Sequence, residues 1–405
     1  MVKVTETGVR ITDIREEEEY YNKMKTIPIE QLALGMYVES IPDHPSLSMI
    51  QKGYIQDPSA LGMLRNLGVE RIIIDPTKSK GAPTATRTTG TKVKSPSKAN
   101  LKNELPRAKK LLTQAKLLQS RLMSDVKLGQ KIDLQPVNAM ADEFIGSVFR
   151  NPSALACLRL IKDKDDYLLE HSLGVTILMT LFARALGISG TTLHQLCVGS
   201  LLHDIGKIRI PEEILNKPGK LTPDEFEVMK THAAHSRTII AATPGISKVS
   251  LDVAAMHHEK LDGTGYPMGL KGEQISMAGR MVAICDIYDA MTADRVYHKG
   301  MAPTLALKRL LEMTPHALDK NLVVKFIQTL GVYPNGCMVE LTSGRVGIVM
   351  ETQDRKPTKP LVKVVYNLKS HTHVMQSEIE LEKHNDSIVK AIDPRDYKLD
   401  LTNYL

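Results

Sequence analysis

Residues 78–106, KSKGAPTATRTTGTKVKSPSKANLKNELP, are rich in Ser, Thr, Pro, Gly and Lys and nearly free of large apolar side chains. Such a stretch cannot bury enough surface to offset the entropy of ordering it, so no core runs through it. The chain is therefore split into a short piece before the stretch and a long piece after it. As a flexible coil, residues 79–105 reach roughly 30 Å end to end. Between Lys78 and Lys110 ten Lys or Arg face one acid, Glu104; that local +9, against a formal +7 for the chain, leaves −2 elsewhere. The basic excess thus belongs to one segment, as a solvated linker or a weak contact for an acidic partner. With no tryptophan and 4% aromatic residues, a base-stacking surface and a DNA or RNA duplex partner are not expected.

Three further classes are set aside. No apolar run reaches the roughly 18–20 residues that span a bilayer, so membrane insertion is not expected. The opening MVKVTETGVRITDIREEEEYY is too charged for a secretory signal. Cys157, Cys197, Cys285 and Cys337 show no paired spacing and suit reduced thiols in a cytoplasmic protein.

The fold expected is mainly α, in four parts. Residues 1–78 make a small α/β accessory domain, with a strand after a Gly turn in IPIEQLALGMYVESI, a short helix in SALGMLRNLG stopped by Gly68, and a strand in VERIIID. It lacks the length and acidic cluster of a phosphoreceiver. Residues 79–105 are the basic linker, and 106–330 a helical domain. Pro106 opens its first helix, where Leu111, Ala115, Leu118, Leu122 and Val126 form one apolar stripe, either core or the seam of a homodimer. Helices are predicted over 137–149, 152–161, 166–186, 191–206, 222–241, 247–258, 276–293, 303–313 and 319–330. Residues 331–405 alternate apolar and polar residues around a Ser-Gly turn, as a small antiparallel β appendix.

Eight of the 13 histidines fall between His171 and His298. In LHQLCVGSLLHDIGK, His203 and Asp204 end an apolar helix, and Lys207 returns to the same face. A buried acid–base pair in so apolar a helix is costly unless satisfied; alone it would fit a core pair, but a divalent cation also satisfies it. Other ligand types lie on separate segments: His171 in LLEHSLGV, His232 in MKTHAAHS, His257 and His258 in MHHEKLDGTGYP, and Asp286 in AICDIYDA. Five histidines and two aspartates exceed what one ion needs and suit two six-coordinate ions sharing Asp204 and a solvent oxygen. Imidazole and carboxylate suit iron, manganese, nickel or zinc. Paired ions lower the pKa of a shared water and clamp a phosphate for in-line attack, which is phosphoester hydrolysis. Lys207 is placed to neutralise phosphate or assist the leaving oxygen.

The ordered set His171, HDIGK, His232, HHEKLDGTGYP and Asp286 resembles the HD-GYP phosphodiesterases over roughly residues 135–330. The resemblance implies an all-α domain around a metal centre, often iron or manganese. It also implies hydrolysis of cyclic di-GMP to linear pGpG and on to GMP, or of cyclic GMP-AMP. By the same resemblance His171, His203, Asp204, His232, His257, His258 and Asp286 are metal ligands, and Asp204 and Lys207 are catalytic. Gly265, Tyr266 and Pro267 form the loop lining the nucleotide pocket, and Arg295 grips substrate phosphate. The LGMYV unit is similar to a small domain found ahead of HD-GYP domains, which leaves signalling partner proteins open.

The chain departs from that pattern in places. Members with three metals carry a glutamate where Tyr167 stands, so two are expected. His298 replaces a lysine and is a weaker phosphate anchor at neutral pH, and Ser236 stands where Gly is usual. Blander roles stay open: a helix-end charge for Lys207, loop packing for Tyr266, an ion pair with Asp289 or Asp294 for Arg295. His235 suits a solvent-facing neighbour, and Asp289 the carboxylate that orients a ligand histidine. Beside the phosphodiesterase stand two other readings, a catalytically weak cyclic-dinucleotide receptor and a generic His-Asp nucleotide hydrolase.

Overall fold

The computed structural model describes residues 25–41, 53–55, 58, 61–62, 64, 69, 71–76, 78–79, 99–161, 167–293, 300–352, 358–397 and 399–405. It divides into one unit of Met1–Val93 with Leu186–Ser189, and another of Lys94–Ala185 with Gly190–Leu405. In the first unit β1 (Lys25–Pro28), β2 (Tyr37–Ser40), β3 (Gly53–Tyr54) and β4 (Arg71–Asp75) form an antiparallel sheet in the order β1-β4-β2-β3. Gly35, at φ 84°, makes the expected turn into β2, a conformation open to glycine. Ile27 opposes Ile72 and Val38 opposes Ile74, all four buried. Most of the helix expected at 59–68 lies outside the described residues, as do 80–98 of the linker.

The second unit holds eleven α-helices among the described residues: α1 (Leu101–Lys127), α2 (Leu134–Arg150), α3 (Pro152–Leu158), α4 (Tyr167–Ala185), α5 (Gly190–Leu202), α6 (Glu212–Leu215), α7 (Pro223–Ala241), α8 (Lys248–Met256), α9 (Met277–Thr292), α10 (Pro303–Glu312) and α11 (Lys320–Leu330). The sequence reading started α1 too late. Asn100 caps it by accepting from Lys102 N, and the first turn is pinned by buried Glu104, which accepts from Arg150 Nε and Nη2, each at 2.9 Å. Residues 101–105 are thus helix, not linker, and Pro106 lies inside α1 at the cost of one backbone bond. Leu111, Ala115, Leu122 and Val126 are buried in the unit's own core. Leu118 is partly buried against the same core, so the stripe packs into the unit's own core.

α4 and α9 are buried almost all round, the pattern of a central helix. Within α4, Leu168–Ala185 is long and apolar enough to cross a membrane by length and composition, contrary to the sequence reading, yet 78% of that window is buried inside the protein. The bundle takes the place of lipid around it.

The C-terminal strands are β5 (Met338–Leu341), β6 (Arg345–Glu351), β7 (Leu361–Asn367), β8 (Thr372–Glu380) and β9 (Ile388–Ile392), an antiparallel sheet in the order β8-β7-β6-β5-β9. The small β part expected at the C-terminus is present and packs against the helices. Met338, Val346, Ile348 and Met350 join the core of α1–α3, while Val339, Val349, Val362 and Val364 form a second cluster. Helices and C-terminal strands fall within one compact unit.

Candidate metal centre

Four elements and one loop bring the seven expected ligands together. His171 lies in the first turns of α4, and His203 and Asp204 follow α5 directly. His232 is on α7, His257 and His258 close α8, and Asp286 is on α9. All but His258 are fully or nearly buried.

Three imidazoles are oriented by their own helices. The Nδ1 atoms of His203, His232 and His257 lie 2.8, 2.6 and 2.8 Å from the carbonyls of Ser200, Met229 and Ala254, three residues back. A carbonyl only accepts, so each Nδ1 carries the proton and each Nε2 presents a bare lone pair. The lone pairs of His232 and His257 face each other, Nε2 to Nε2 at 3.3 Å, and His258 Nε2 lies 3.1 Å from His232 Nε2. Acceptors do not bond acceptors, and two ligand atoms at right angles about one ion, each ~2.1 Å away, would be roughly 3 Å apart. His203 Nε2 and Asp204 Oδ1 are buried without any hydrogen-bond partner, a costly state that a cation relieves.

Asp204 stands between two groups. Its Oδ1 lies 3.4 Å from His232 Nε2 and 3.8 Å from His257 Nε2. Its Oδ2 lies 3.3 Å from His203 Nε2 and 3.7 Å from His171 Nε2. His171 in turn sits 2.9 Å from Asp286 Oδ1 and 2.8 Å from Asp289 Oδ2, the orienting contact expected of Asp289. The donor set fits divalent metal binding.

Charge follows from burial and neighbours. Burial holds His232 low, and with the adjacent His258 holds His257 well below the usual imidazole range; burial pushes His258 down to about 3. Burial also opposes charge on His171, but the Asp286 and Asp289 carboxylates outweigh it and raise its pKa. Burial would raise Asp204, yet Lys207 and His203 hold it well below the carboxylate range. For Asp286, too, burial is outweighed, here by the His171 hydrogen bond.

These directions predict how the metal-free protein responds to acid. Unfolded imidazoles take up protons near 6.5, while folded His232, His257 and His258 stay neutral below that value. Below 6.5 the unfolded state binds more protons, so stability falls with pH. His171, raised on folding, contributes fully below 6.5 and fades only as pH rises through its folded value. The depressed aspartates lose their contribution only as pH falls below 3.8. Chelator-treated protein should therefore melt several degrees lower at about pH 5.5 than at about pH 7; a flat melting temperature across that window would contradict the neutral imidazoles.

Lys207 Nζ lies 2.6 Å from Asp204 Oδ2. The loop after His258 returns to the centre. Tyr266 N donates to His258 O at 3.2 Å, and the Tyr266 ring centroid is 4.7 Å from that of His258. Gly265 is a glycine because its backbone presses on the helix end: a Cβ would lie 2.4 Å from Lys260 N and 2.6 Å from His258 O. Pro267 follows in the same loop. Arg295 and His298 lie outside the described residues, and His235 is half-buried without joining the cluster.

Sequence reasoning gave Glu259 no role. It is buried, and its two carboxylate oxygens accept from Met268 N at 2.7 Å and Leu270 N at 2.9 Å. Arg280 fastens the far end of the loop through the carbonyls of Ile275 and Gly272. The only hint of this in the chain is an acid beside two histidines, which looks like a further ligand. Glu259→Ala should cost about tenfold or more in kcat/KM by freeing the loop, with metal content unchanged by elemental analysis. Loss of metal would make Glu259 a ligand instead.

A buried helix ending in His-Asp, with imidazoles gathered about it from neighbouring helices, makes a donor set of the HD type that fits a divalent metal. An HD domain model matches residues 156–322, a domain of unknown function (DUF3391) residues 24–137, and a KOW domain associated with HD domain residues 338–400. The Cyclic di-GMP phosphodiesterase PA4108 of Pseudomonas aeruginosa is 37% identical over 371 residues, 88% of this chain and 89% of that protein. The 3'3'-cGAMP-specific phosphodiesterase 3 of Vibrio cholerae is 36% identical over 177 residues, 44% of this chain and 38% of that one. Among solved structures, the HDG"Y"P protein Bd1817 of Bdellovibrio bacteriovorus aligns at a TM-score of 0.48 and 16% identity, over 75% of this chain and 98% of that one. The chain belongs to the HD-GYP family of phosphodiesterases. The KOW match coincides with the C-terminal sheet, and the DUF3391 match runs through the segment read as a linker.

Proposed function

We propose that the chain hydrolyses a cyclic dinucleotide, cyclic di-GMP first and cyclic GMP-AMP as the competitor, at a binuclear centre. The observation that carries the reading is Asp204, which turns one oxygen to His232 and His257 and the other to His171 and His203. One ion would be held by His171, His203, Asp204 and Asp286, the other by Asp204, His232, His257 and His258. Iron or manganese suits this mixed imidazole–carboxylate set. Bound divalent ions supply Lewis acidity toward a phosphoryl oxygen and an acidified water.

The chain's own residues do the rest. Lys207, held 2.6 Å from Asp204, brings a cation to the phosphate and a proton to the departing ribose oxygen. Tyr266 stays a neutral phenol because burial and the Asp286 and Asp204 charges raise its pKa, so it offers a ring face to a base and a hydroxyl donor. Support for the substrate class comes from the names of the Pseudomonas and Vibrio relatives, the first alignable over nearly the whole chain.

The test is turnover of each cyclic dinucleotide by full-length protein loaded with manganese or iron, with a panel of linear nucleotides alongside. Linear pGpG from cyclic di-GMP is the expected product. Tight binding with no product would make the chain a receptor, and faster turnover of a linear nucleotide would make it a generic hydrolase.

A further inference from the structure

Asp289 aims His171, and something must aim Asp289. Its Oδ2 lies 2.8 Å from His171 Nδ1, and its Oδ1 accepts from Arg159 Nη1 at 3.1 Å. The Arg159 and Asp289 side chains are 3% and 0% exposed. The same Nη1 donates to Thr292 Oγ1 at 3.2 Å, one turn along α9, and the guanidinium carbon stands 5.1 Å from the Tyr288 ring centroid. Gly174, on the helix of His171, leaves room for the carboxylate, since a Cβ there would lie 2.3 Å from Asp289 Oδ1.

Arg159 is held from outside the metal-binding helices. It is the C-cap residue of α3, and α3 is seated on the C-terminal sheet. The Cys157 thiol reaches the carbonyl of Met350 at 3.5 Å, and a Cβ on Gly336 would meet the Cys157 carbonyl at 2.9 Å. A buried ion pair is a poor source of net stability compared with apolar packing of the same volume. Stability alone therefore does not account for a full charge at this depth, one side chain away from a ligand.

We infer that Arg159 is a positioning residue of the metal centre: through Asp289 it holds His171 Nε2 toward the ion, and through α3 it ties that ligand to the C-terminal sheet. The inference rests on the metal-centre reading and not on which nucleotide is cleaved. A ligand histidine that donates its second N–H to a fixed carboxylate has one ring orientation and a more basic Nε2. Loss of such a partner costs about 10- to 100-fold in metal affinity. Without the Arg159 Nη1 bond Asp289 Oδ1 loses a charged donor, and the hold of Asp289 on His171 weakens.

The experiment titrates Mn2+ calorimetrically into chelator-treated full-length wild type, Arg159→Lys, Arg159→Gln and the control Arg150→Lys. Arg159→Gln should bind Mn2+ about 10- to 100-fold more weakly at one site. Its turnover should be largely restored at saturating Mn2+. Arg159→Lys, which keeps the charge but not the planar guanidinium that reaches Asp289 and lies over the Tyr288 ring, should lie between it and wild type. Arg150→Lys, which loosens the remote Glu104 pair, should lower the melting temperature and leave Mn2+ affinity unchanged. If Arg159→Gln does not fold, Arg159→Lys decides alone. Mn2+ affinity within twofold of wild type in whichever Arg159 variants fold would overturn the inference, whatever their melting temperatures. Failure of the cyclic-dinucleotide reading would instead show as no wild-type turnover with Mn2+ binding intact.

Discussion

Asp204→Ala is expected to abolish measurable turnover, a fall of at least about a thousandfold in kcat/KM. Asp204 turns one oxygen to each histidine group, so its removal strips a donor from each ion position at once. Asp204→Asn separates charge from shape: it keeps the volume but has one neutral oxygen where the carboxylate has two anionic ones. Its loss of activity should approach that of the alanine variant. Some stability of the metal-free state should be lost with the carboxylate, but not the fold. Lys207, the partner left behind, is 15% exposed and reaches water, and burial keeps His232, His257 and His258 neutral. The sharper readout is thermal. Mn2+ at a hundred times Kd should stabilise wild type by about 2.7 kcal/mol, several degrees in melting temperature. Both variants should show little of that rise. A variant at position 204 with wild-type activity and a full Mn2+ shift would remove Asp204 from the centre.

The ligand set was legible in sequence because it breaks the rule that apolar helices bury apolar residues. His203–Asp204 at the end of LHQLCVGSLL and His171 within α4 announce themselves by being out of place. Helix positions were legible because periodic patterns and the caps at Thr222, Ser247 and Ser276 mark them locally. What stayed hidden depends on partners far along the chain. The true start of α1 is fixed by Glu104 and Arg150, 46 residues apart, and Pro106 suggested a boundary that this pair overrides. Arg159 looks like any helix-end arginine until folding brings Asp289 beside it, 130 residues on. How the C-terminal sheet packs on the helices stayed hidden for a different reason. β6, RVGIVME, is buried on both faces along most of its length, and a near-continuous apolar run of that kind marks a strand covered on two sides. Alternation marks the strands but not what covers their second face.

Gly206, the glycine of HDIGK, should prove as sensitive as a ligand, for a steric reason. A Cβ there would stand 2.2 Å from His232 O and 2.3 Å from Ser236 N, both backbone atoms of α7. No side-chain rotation relieves such overlap, so either α7 or the segment carrying His203 and Asp204 must move away. Forcing a methyl into a closed contact costs about 1–3 kcal/mol, and more where backbone is displaced. The shift falls between His232 on one side and Asp204 on the other, a spacing of 3.4 Å at present. Misplacement by about 1 Å is enough to cost roughly 100-fold in rate. Ser236 supplies the control. Its Oγ accepts from Gly206 N at 2.9 Å, so the serine satisfies the backbone donor that the close approach would otherwise bury. Ser236→Ala removes that bond with no clash and should cost about 1 kcal/mol of stability with little change in rate. Gly206→Ala should lower both melting temperature and Mn2+ affinity, and kcat should fall even at saturating metal. If Gly206→Ala and Ser236→Ala prove equally mild, α7 and the His-Asp segment tolerate separation, and the centre does not depend on their close packing.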